Sequence, residues 1–286
     1  MSGVMHDRRF AVGLGLLAAV AGLAIAAPLV SAGNPNATGD IIATRFLGLL
    51  SRDVHGSLHL LGTDRFGRDV WTRLVYGARI SLSVGGLSVL LSVAVGMAIG
   101  GLSGWWRGWP GTLLLGATDF ALALPRVVLL LLLAALWQPS ALLVVLLLGS
   151  TGWMPVARLV HGEVRALAVR PFVEGARSLG VRPLQVLWRH VLPNALTPVI
   201  IAAALGVGNA ILLEAGLSYL GLGVQPPTPS WGNMIASGRD TLVNAPWVAA
   251  APGAMLVLVV VGCTLVGDAL RDVFSRQSSG ISQYNS

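Results

Sequence analysis

The amino-acid sequence predicts an all-α membrane protein with six transmembrane helices and both termini in the cytoplasm. Three observations carry this. Of 286 residues, 55% are hydrophobic and 11% charged, where a soluble domain carries about 25% charged residues. Six stretches reach or approach the roughly 20 apolar residues that cross a bilayer as a helix, and mean hydropathy is +0.76. The basic residues, all arginine, lie between those stretches, as they do in cytoplasmic loops.

The net charge of +7 does not indicate nucleic-acid binding, because a nucleic-acid binder gathers its basic residues on a soluble face. Cys263 is the one cysteine and falls in an apolar run. A disulfide within the chain and a zinc cluster are both excluded, and Cys263 reads as a small buried apolar side chain.

The first span, residues 10–30, follows Arg8 and Arg9. The run Ala-Ile-Ala-Ala ending at Ala27 resembles a signal-peptide cleavage site, but the apolar stretch outruns a typical signal core. An uncleaved first helix is expected. The second span, 80–103, is followed or lined by Gly96, Gly100, Gly101 and Gly104 at near-four spacing. Small residues so placed let helices approach closely, within the chain or across a dimer. Trp105, Trp106 and Trp109 follow as interfacial anchors. The third span, 112–136, contains Asp119, Pro125 and Arg126. The fourth, 140–157, is short and carries Gly149, Gly152 and Pro155. Only Trp-Gln-Pro-Ser separates third from fourth, a tight turn between antiparallel helices. The fifth and sixth spans are 196–216 and 249–269.

Arginine placement sets the orientation. Arg8 and Arg9 hold the N-terminus in the cytoplasm, and six crossings return Arg271 and Arg276 to it. Arg158, Arg165, Arg170, Arg177, Arg182 and Arg189, between spans four and five, fall on the same side. One connection runs against the rule. Arg45, Arg52, Arg65, Arg68 and Arg73 come out external, offset by Asp40, Asp53, Asp64 and Asp69, although acids count little in the rule.

Several residues are candidates for function. An ionisable group inside a span marks a functional site by default. Asp119 and Arg126 are two helical turns apart on one face, so both would face the bundle interior as pathway residues, too far apart to pair directly unless Pro125 bends the helix. The alternative places Asp119 at the cytoplasmic interface and pairs Arg126 with another subunit. Glu214 either contacts substrate or lies in the external headgroup region, the latter being favoured. The proline-rich stretch 224–232 is external and rigid, serving as a lid, a contact for a delivery protein or a stiff loop. His6, His55, His59, His161 and His190 are scattered. His55 and His59 would share a helical face, but two histidines without a third ligand do not make a metal site. Without lysine there is no phosphate-binding loop of the Lys-Ser/Thr kind, and neither HExxH nor Gly-x-Ser-x-Gly occurs. Any energy for work must come from elsewhere.

The apolar pattern breaks off over 174–194. Arg170 precedes Pro171, which suits a first helical position. A helix is expected over 172–179, followed by a left-handed turn at Gly180 and a second helix from Pro183. Leu184, Leu187, Trp188 and Val191 recur at helical spacing as an apolar face, with Arg182 and Arg189 off it, and Pro193 ends the helix. The first helix is too short to be stable alone. A short helix held outside the bilayer is an object for another protein to grip, or else a charged loop that anchors orientation. The residues by themselves leave both open.

The stretch Glu-Gly-Ala-Arg-Ser-Leu-Gly followed by a spaced Pro resembles the cytoplasmic loop signature of permease subunits from bacterial ABC importers. The matching positions are Glu174, Gly175, Ala176, Gly180 and Pro193. Gly175 replaces the usual alanine and loosens the helix slightly. Residues 61–82, 189–194 and 214–235 further resemble the dipeptide, oligopeptide and nickel permeases, and the short first connection is similar to that of the second permease of such pairs. The likeness spans 61–272.

This resemblance implies a type I ABC importer permease fold. Residues 1–31 would form the cytoplasmic tip and first helix, 32–76 an external connection, and 77–270 a five-helix core with a coupling loop at 158–195. Residues 271–286 would be a cytoplasmic tail. Glu174, Gly175, Ala176, Arg177, Gly180 and Pro193 would dock on an ATPase subunit. Expected partners are a second homologous permease chain, two ATP-binding subunits, an external or periplasmic substrate-binding protein, and lipid. The chain is expected not to be an enzyme and to hold no cofactor, with ATP and magnesium on the partners. The implied location is the bacterial inner membrane and the implied cargo is peptide, with nickel or a metal chelate as the alternative. An ion-coupled secondary transporter would show internal repeats and broken helices around a midplane site, and no repeated half is visible.

Overall fold

The computed structural model describes residues 7–31, 33–38 and 40–282, the side chains of 275–282 excepted. Residues 1–6 of the expected cytoplasmic tip, His6 among them, residues 283–286 of the tail and the Arg276 side chain lie outside the described residues.

Helix α1 (Arg8–Ile25) starts where the Asp7 carboxylate accepts the Arg9 N–H at 2.8 Å. Helix α2 (Val70–Trp105) starts ten residues before the expected 80, because Asp69 caps it by accepting the Thr72 N–H at 2.7 Å. The added turns hold Arg73 and Arg79, which a hydropathy count reads as loop. Arg73 is buried and donates to Pro35 O at 2.9 Å.

The expected third span is broken. Helix α3 (Trp109–Ala123) and helix α4 (Arg126–Leu136) are bent by 83°. Pro125 lacks the N–H that would continue the ladder, and it drives the preceding residue into extended backbone. Leu124 accordingly has ψ 132°. Asp119 and Arg126 therefore do not share a helical face.

Helix α5 (Ala141–Leu167) is capped by Ser140 and passes through Pro155. It runs past the expected end at 157, so Arg158 and Arg165 are helical rather than in a loop. Helix α6 (Pro171–Ser178), helix α7 (Leu196–Tyr219), helix α8 (Trp231–Arg239) and helix α9 (Trp247–Ser282) follow. Among the described residues five helices are long and apolar enough to cross a membrane, and the bent pair makes a sixth if it counts as one span.

The glycine stripe joins α2 to α5 within the chain. A Cβ at Gly96 would stand 2.6 Å from Val156 Cβ, and one at Gly104 2.8 Å from His161 O. The absent side chains are what let the two backbones close. Cys263 is buried, as expected.

The two ends of the bundle are tied differently. At one end Arg9 lies 3.6 Å from Asp272, which brings the start of α1 beside the late turns of α9. At the other end the connection after α1 and the one after α7 form a single cap. Arg73 reaches Pro35 O at 2.9 Å and Pro227 O at 3.5 Å, and the Trp247 indole N–H donates to Thr63 O at 3.4 Å.

Several arginines that ran against the orientation rule are occupied inside this cap. Arg68 pairs with Asp64 at 2.6 Å, Arg52 donates to Gly56 O at 3.2 Å, and Arg65 lies over the Phe66 ring. His59 is in a two-stranded hairpin (Ser51–Arg52 with Leu58–His59) and His55 in its turn, not on a helix. His59 Nδ1 sits 2.9 Å from Asp69. Among the described residues no group of three or more His, Cys, Asp or Glu side chains is placed to hold a metal.

Candidate functional site

The 174–194 segment folds as a compact elbow. Arg170 precedes Pro171 at the first position of α6. Gly180 takes φ +76°. The Gly180 N–H donates to Arg177 O at 2.9 Å and the Val181 N–H to Ala176 O at 3.2 Å. That pair of bonds is the Schellman ending of a helix. Val181 and Ala176 pack against the same cluster, which supplies the apolar contact usual at such an ending.

The return limb departs from the expected regular helix. After Pro183–Val186 the backbone widens into a π-turn over Leu187–Val191, with the Leu192 N–H donating to Leu187 O. The extra residue in the turn rotates the apolar face. Val186, Leu187, Val191 and Leu192 are buried, while Leu184 and Trp188 are about half exposed. Pro193 does not end the helix. It sits in the first turn of Leu192–Asn194, where its missing N–H costs no bond.

The elbow is seated on the bundle by Val173, which is fully buried, and by Arg177, whose guanidinium lies 4.6 Å from the Trp105 ring centroid. Trp105 is thus buried under the loop rather than anchored in the headgroups. The opposite face presents Phe172, Leu179, Leu184 and Trp188, with Leu179 85% exposed. Glu174, Gly175, Gly180 and Pro193 are exposed and Ala176 is half-buried. The sequence pointed to the elbow but not to Trp105, which has no local signal for its role.

A second feature lies in the membrane-spanning part. A cavity of about 360 Å³ opens among α2, α5 and α7, lined by Ser88, Ser92, Gly152 and Asn209 with Arg126 at its wall. Arg126 donates to Thr151 Oγ1 at 3.3 Å and to Leu148 O at 3.3 Å. Of the three residues singled out for a pathway, Arg126 alone lines this cavity. Asp119 lies 3.5 Å from Arg158 on α5. Asn209 was overlooked, although an amide in the middle of an apolar span is a signal in itself.

Glu214 is fully buried in protein rather than exposed at the external headgroups. Its two carboxylate oxygens accept from Ser81 at 2.9 Å and Ser218 at 2.7 Å. The two hydroxyls in turn accept the Trp231 N–H at 3.2 Å and the Val224 N–H at 2.9 Å. With Asn233 donating to Val224 O and Thr228 O, the proline-rich stretch is pinned to α8.

Comparison with known proteins agrees with this architecture. Residues 96–279 match the family described as "Binding-protein-dependent transport system inner membrane component". A protein of Brucella abortus named as a peptide transport system permease is 38% identical over 94% of this chain and 88% of its own length. The dipeptide transport system permease of Alkalihalophilus pseudofirmus is 38% identical over 75% of this chain and 70% of its own. Among solved structures, a chain of the MetNI methionine ABC transporter in an inward-facing conformation superposes with TM-score 0.57 at 19% identity, covering 70% of this chain and 96% of that one. That likeness speaks for the type I fold alone. The chain belongs to the binding-protein-dependent transport system inner membrane component family, and is a multi-pass permease subunit of an ABC importer in the bacterial inner membrane.

Proposed function

We propose that this chain forms half of a translocation pathway for di- and oligopeptides, the other half coming from a second, homologous permease. Its relatives' naming as peptide and dipeptide permeases, at 38% identity over most of the chain, supports this cargo. An external substrate-binding protein would deliver the peptide to the cap built from 33–38, 40–69 and 220–246. Two ATP-binding subunits would hydrolyse ATP, with magnesium, and no cofactor would reside in this chain. Both termini and the segment 158–195 would face the cytoplasm.

The elbow carries the coupling part of the proposal. Its inner face is buried in the bundle, whereas its outer face exposes Phe172, Leu179, Leu184 and Trp188 beyond the membrane-spanning helices. Apolar surface gathered on a polar-rimmed projection marks a protein contact. Glu174, Gly175, Ala176, Arg177, Gly180 and Pro193 belong to that projection. ATP-driven closure of the ATPases would push on α6, and the Arg177–Trp105 and Val173 contacts would pass the movement to α2 and α5. Nucleotide binding shifts the equilibrium only as far as it binds one state more tightly, and the two permeases would rock accordingly.

The test uses the chain with its partner subunits. With Cys263→Ala as background, Ala176→Cys should react with a membrane-impermeant thiol reagent from the cytoplasmic side alone. Reaction solely from outside overturns the orientation. In cells stripped of their own peptide importers, the assembled system should restore uptake of a labelled dipeptide. Uptake of nickel but not dipeptide overturns the cargo.

A further inference from the structure

We propose that Arg126 is a specificity-determining residue that takes the main-chain carboxylate of the peptide in transit. This rests on the peptide reading above and adds the group by which the pathway would know its cargo.

Arg126 carries a full charge in the spanning part of the molecule, yet among the described residues no carboxylate lies within ion-pair distance of it. Its two acceptors, Thr151 Oγ1 and Leu148 O, are both neutral and both at 3.3 Å. They orient the guanidinium without neutralising it. Five N–H donors are available on that group, more than these two acceptors use, and Arg126 lines the cavity. A cation held this way inside a membrane marks a substrate route.

The surroundings keep this cation in place. A Cβ at Gly152 would stand 3.1 Å from Arg126 Nη2, so the glycine leaves the room that the guanidinium fills. Arg126 also opens α4, whose first turn has no side-chain cap. The planar fork of a guanidinium matches a carboxylate with two parallel hydrogen bonds. Asn209, exposed on the cavity wall, offers an NH2 with two donors and a carbonyl acceptor, able to pair with both halves of a peptide group. A free-acid peptide carries this carboxylate whatever its side chains, so a contact to it is indifferent to the peptide's sequence.

The experiment is uptake by the complete transporter in proteoliposomes, with its binding protein saturated by alanyl-alanine or by the C-terminal amide of the same dipeptide. Assembly of each variant is checked by co-elution of the ATPase subunits. Arg126→Gln should lower free-acid uptake at least tenfold while amide uptake stays within twofold of wild type. Arg126→Lys should recover at least a third of the lost free-acid rate, and that recovery decides the matter where wild type refuses the amide. Equal loss for acid and amide, free-acid uptake within twofold of wild type in Arg126→Gln, or no recovery with lysine overturns the proposal. A wild-type complex that moves neither dipeptide overturns the peptide reading itself. Wild-type uptake with an indifferent Arg126→Gln overturns this inference alone.

Discussion

Ser81 on α2 donates its hydroxyl to Glu214 on α7 at 2.9 Å while accepting the Trp231 N–H at 3.2 Å. Ser218 does the same between Glu214 and the Val224 N–H. One side chain thus fastens two helices and the ends of the proline-rich stretch 224–232 through two hydroxyls. A buried polar group is tolerated when its atoms are hydrogen-bonded, and each carboxyl oxygen has its serine here.

Removing that acceptor should loosen the cap first. Glu214→Leu leaves two buried hydroxyls without acceptors, at about 1–3 kcal/mol each. Glu214→Gln keeps one carbonyl acceptor and should cost less than half as much. Thermal melting of the detergent-solubilised protein gives the order wild type, Gln, Leu. Limited proteolysis should cut Glu214→Leu first within 220–230. Equal melting of all three proteins would show that the network contributes nothing.

The Arg177–Trp105 stack should matter to coupling more than to folding. Cation–π contacts at exposed sites contribute about 0.5–1 kcal/mol, small against the packing of Val173, Val186 and Leu187. Arg177→Ala should therefore insert normally and melt within a few degrees of wild type. Its peptide-stimulated ATPase activity should nevertheless fall, because α6 loses a fixed attachment to α2. Trp105→Leu should fall by a similar factor, and the double variant no further. Additive losses would mean that the two side chains act separately.

Gly180 separates conformation from contact. A Cβ at this position meets nothing within 4 Å, but the backbone is at φ +76°. An L-residue there costs roughly 1–2 kcal/mol with no steric clash involved. Coupled ATPase activity should rank Gly, then Asn, which tolerates left-handed backbone, then Ala, then Val. A large loss in Gly180→Asn alongside unaltered Gly180→Val would point to a direct contact with the partner instead.

Much of this was legible in the sequence where local chemistry decides the outcome. Pro171 and Gly180 bracket α6 because proline fixes the φ of a helix start and glycine alone takes the left-handed turn at no steric cost. The six apolar stretches are visible because hydrocarbon demands a length. What stayed hidden depends on partners distant in the chain. Arg73 reads as loop until Pro35 and Pro227 supply its acceptors, and Glu214 reads as interfacial until Ser81 does. The π-turn at Leu187–Val191 shifts a face by one residue without a distinctive residue to announce it. At Pro125 the signal was present, and hydropathy averaged across it concealed the bend.

The glycine contact between α2 and α5 leaves no room for a side chain. A Cβ at Gly100 would lie 2.3 Å from Ala157 O and 2.8 Å from Val160 Cβ. The first of these is backbone, which cannot swing aside as a flexible side chain can. Overpacking of this kind typically costs 1–3 kcal/mol or more, and separating the helices would also strip contacts along Gly96 and Gly104. Gly100→Val should therefore fail to accumulate as folded protein, and Gly100→Ala should lower the melting temperature clearly. Gly86, on the same helix with nothing within 4 Å of its missing Cβ, is the control. Gly86→Ala should be neutral or stabilising by up to about 1 kcal/mol, since alanine is the better helix former. The readout is yield and monodispersity by size-exclusion chromatography in detergent, followed by a thermal melt. Equal behaviour of the Gly86→Ala and Gly100→Ala proteins would mean that α2 and α5 are not held at the distance this packing requires.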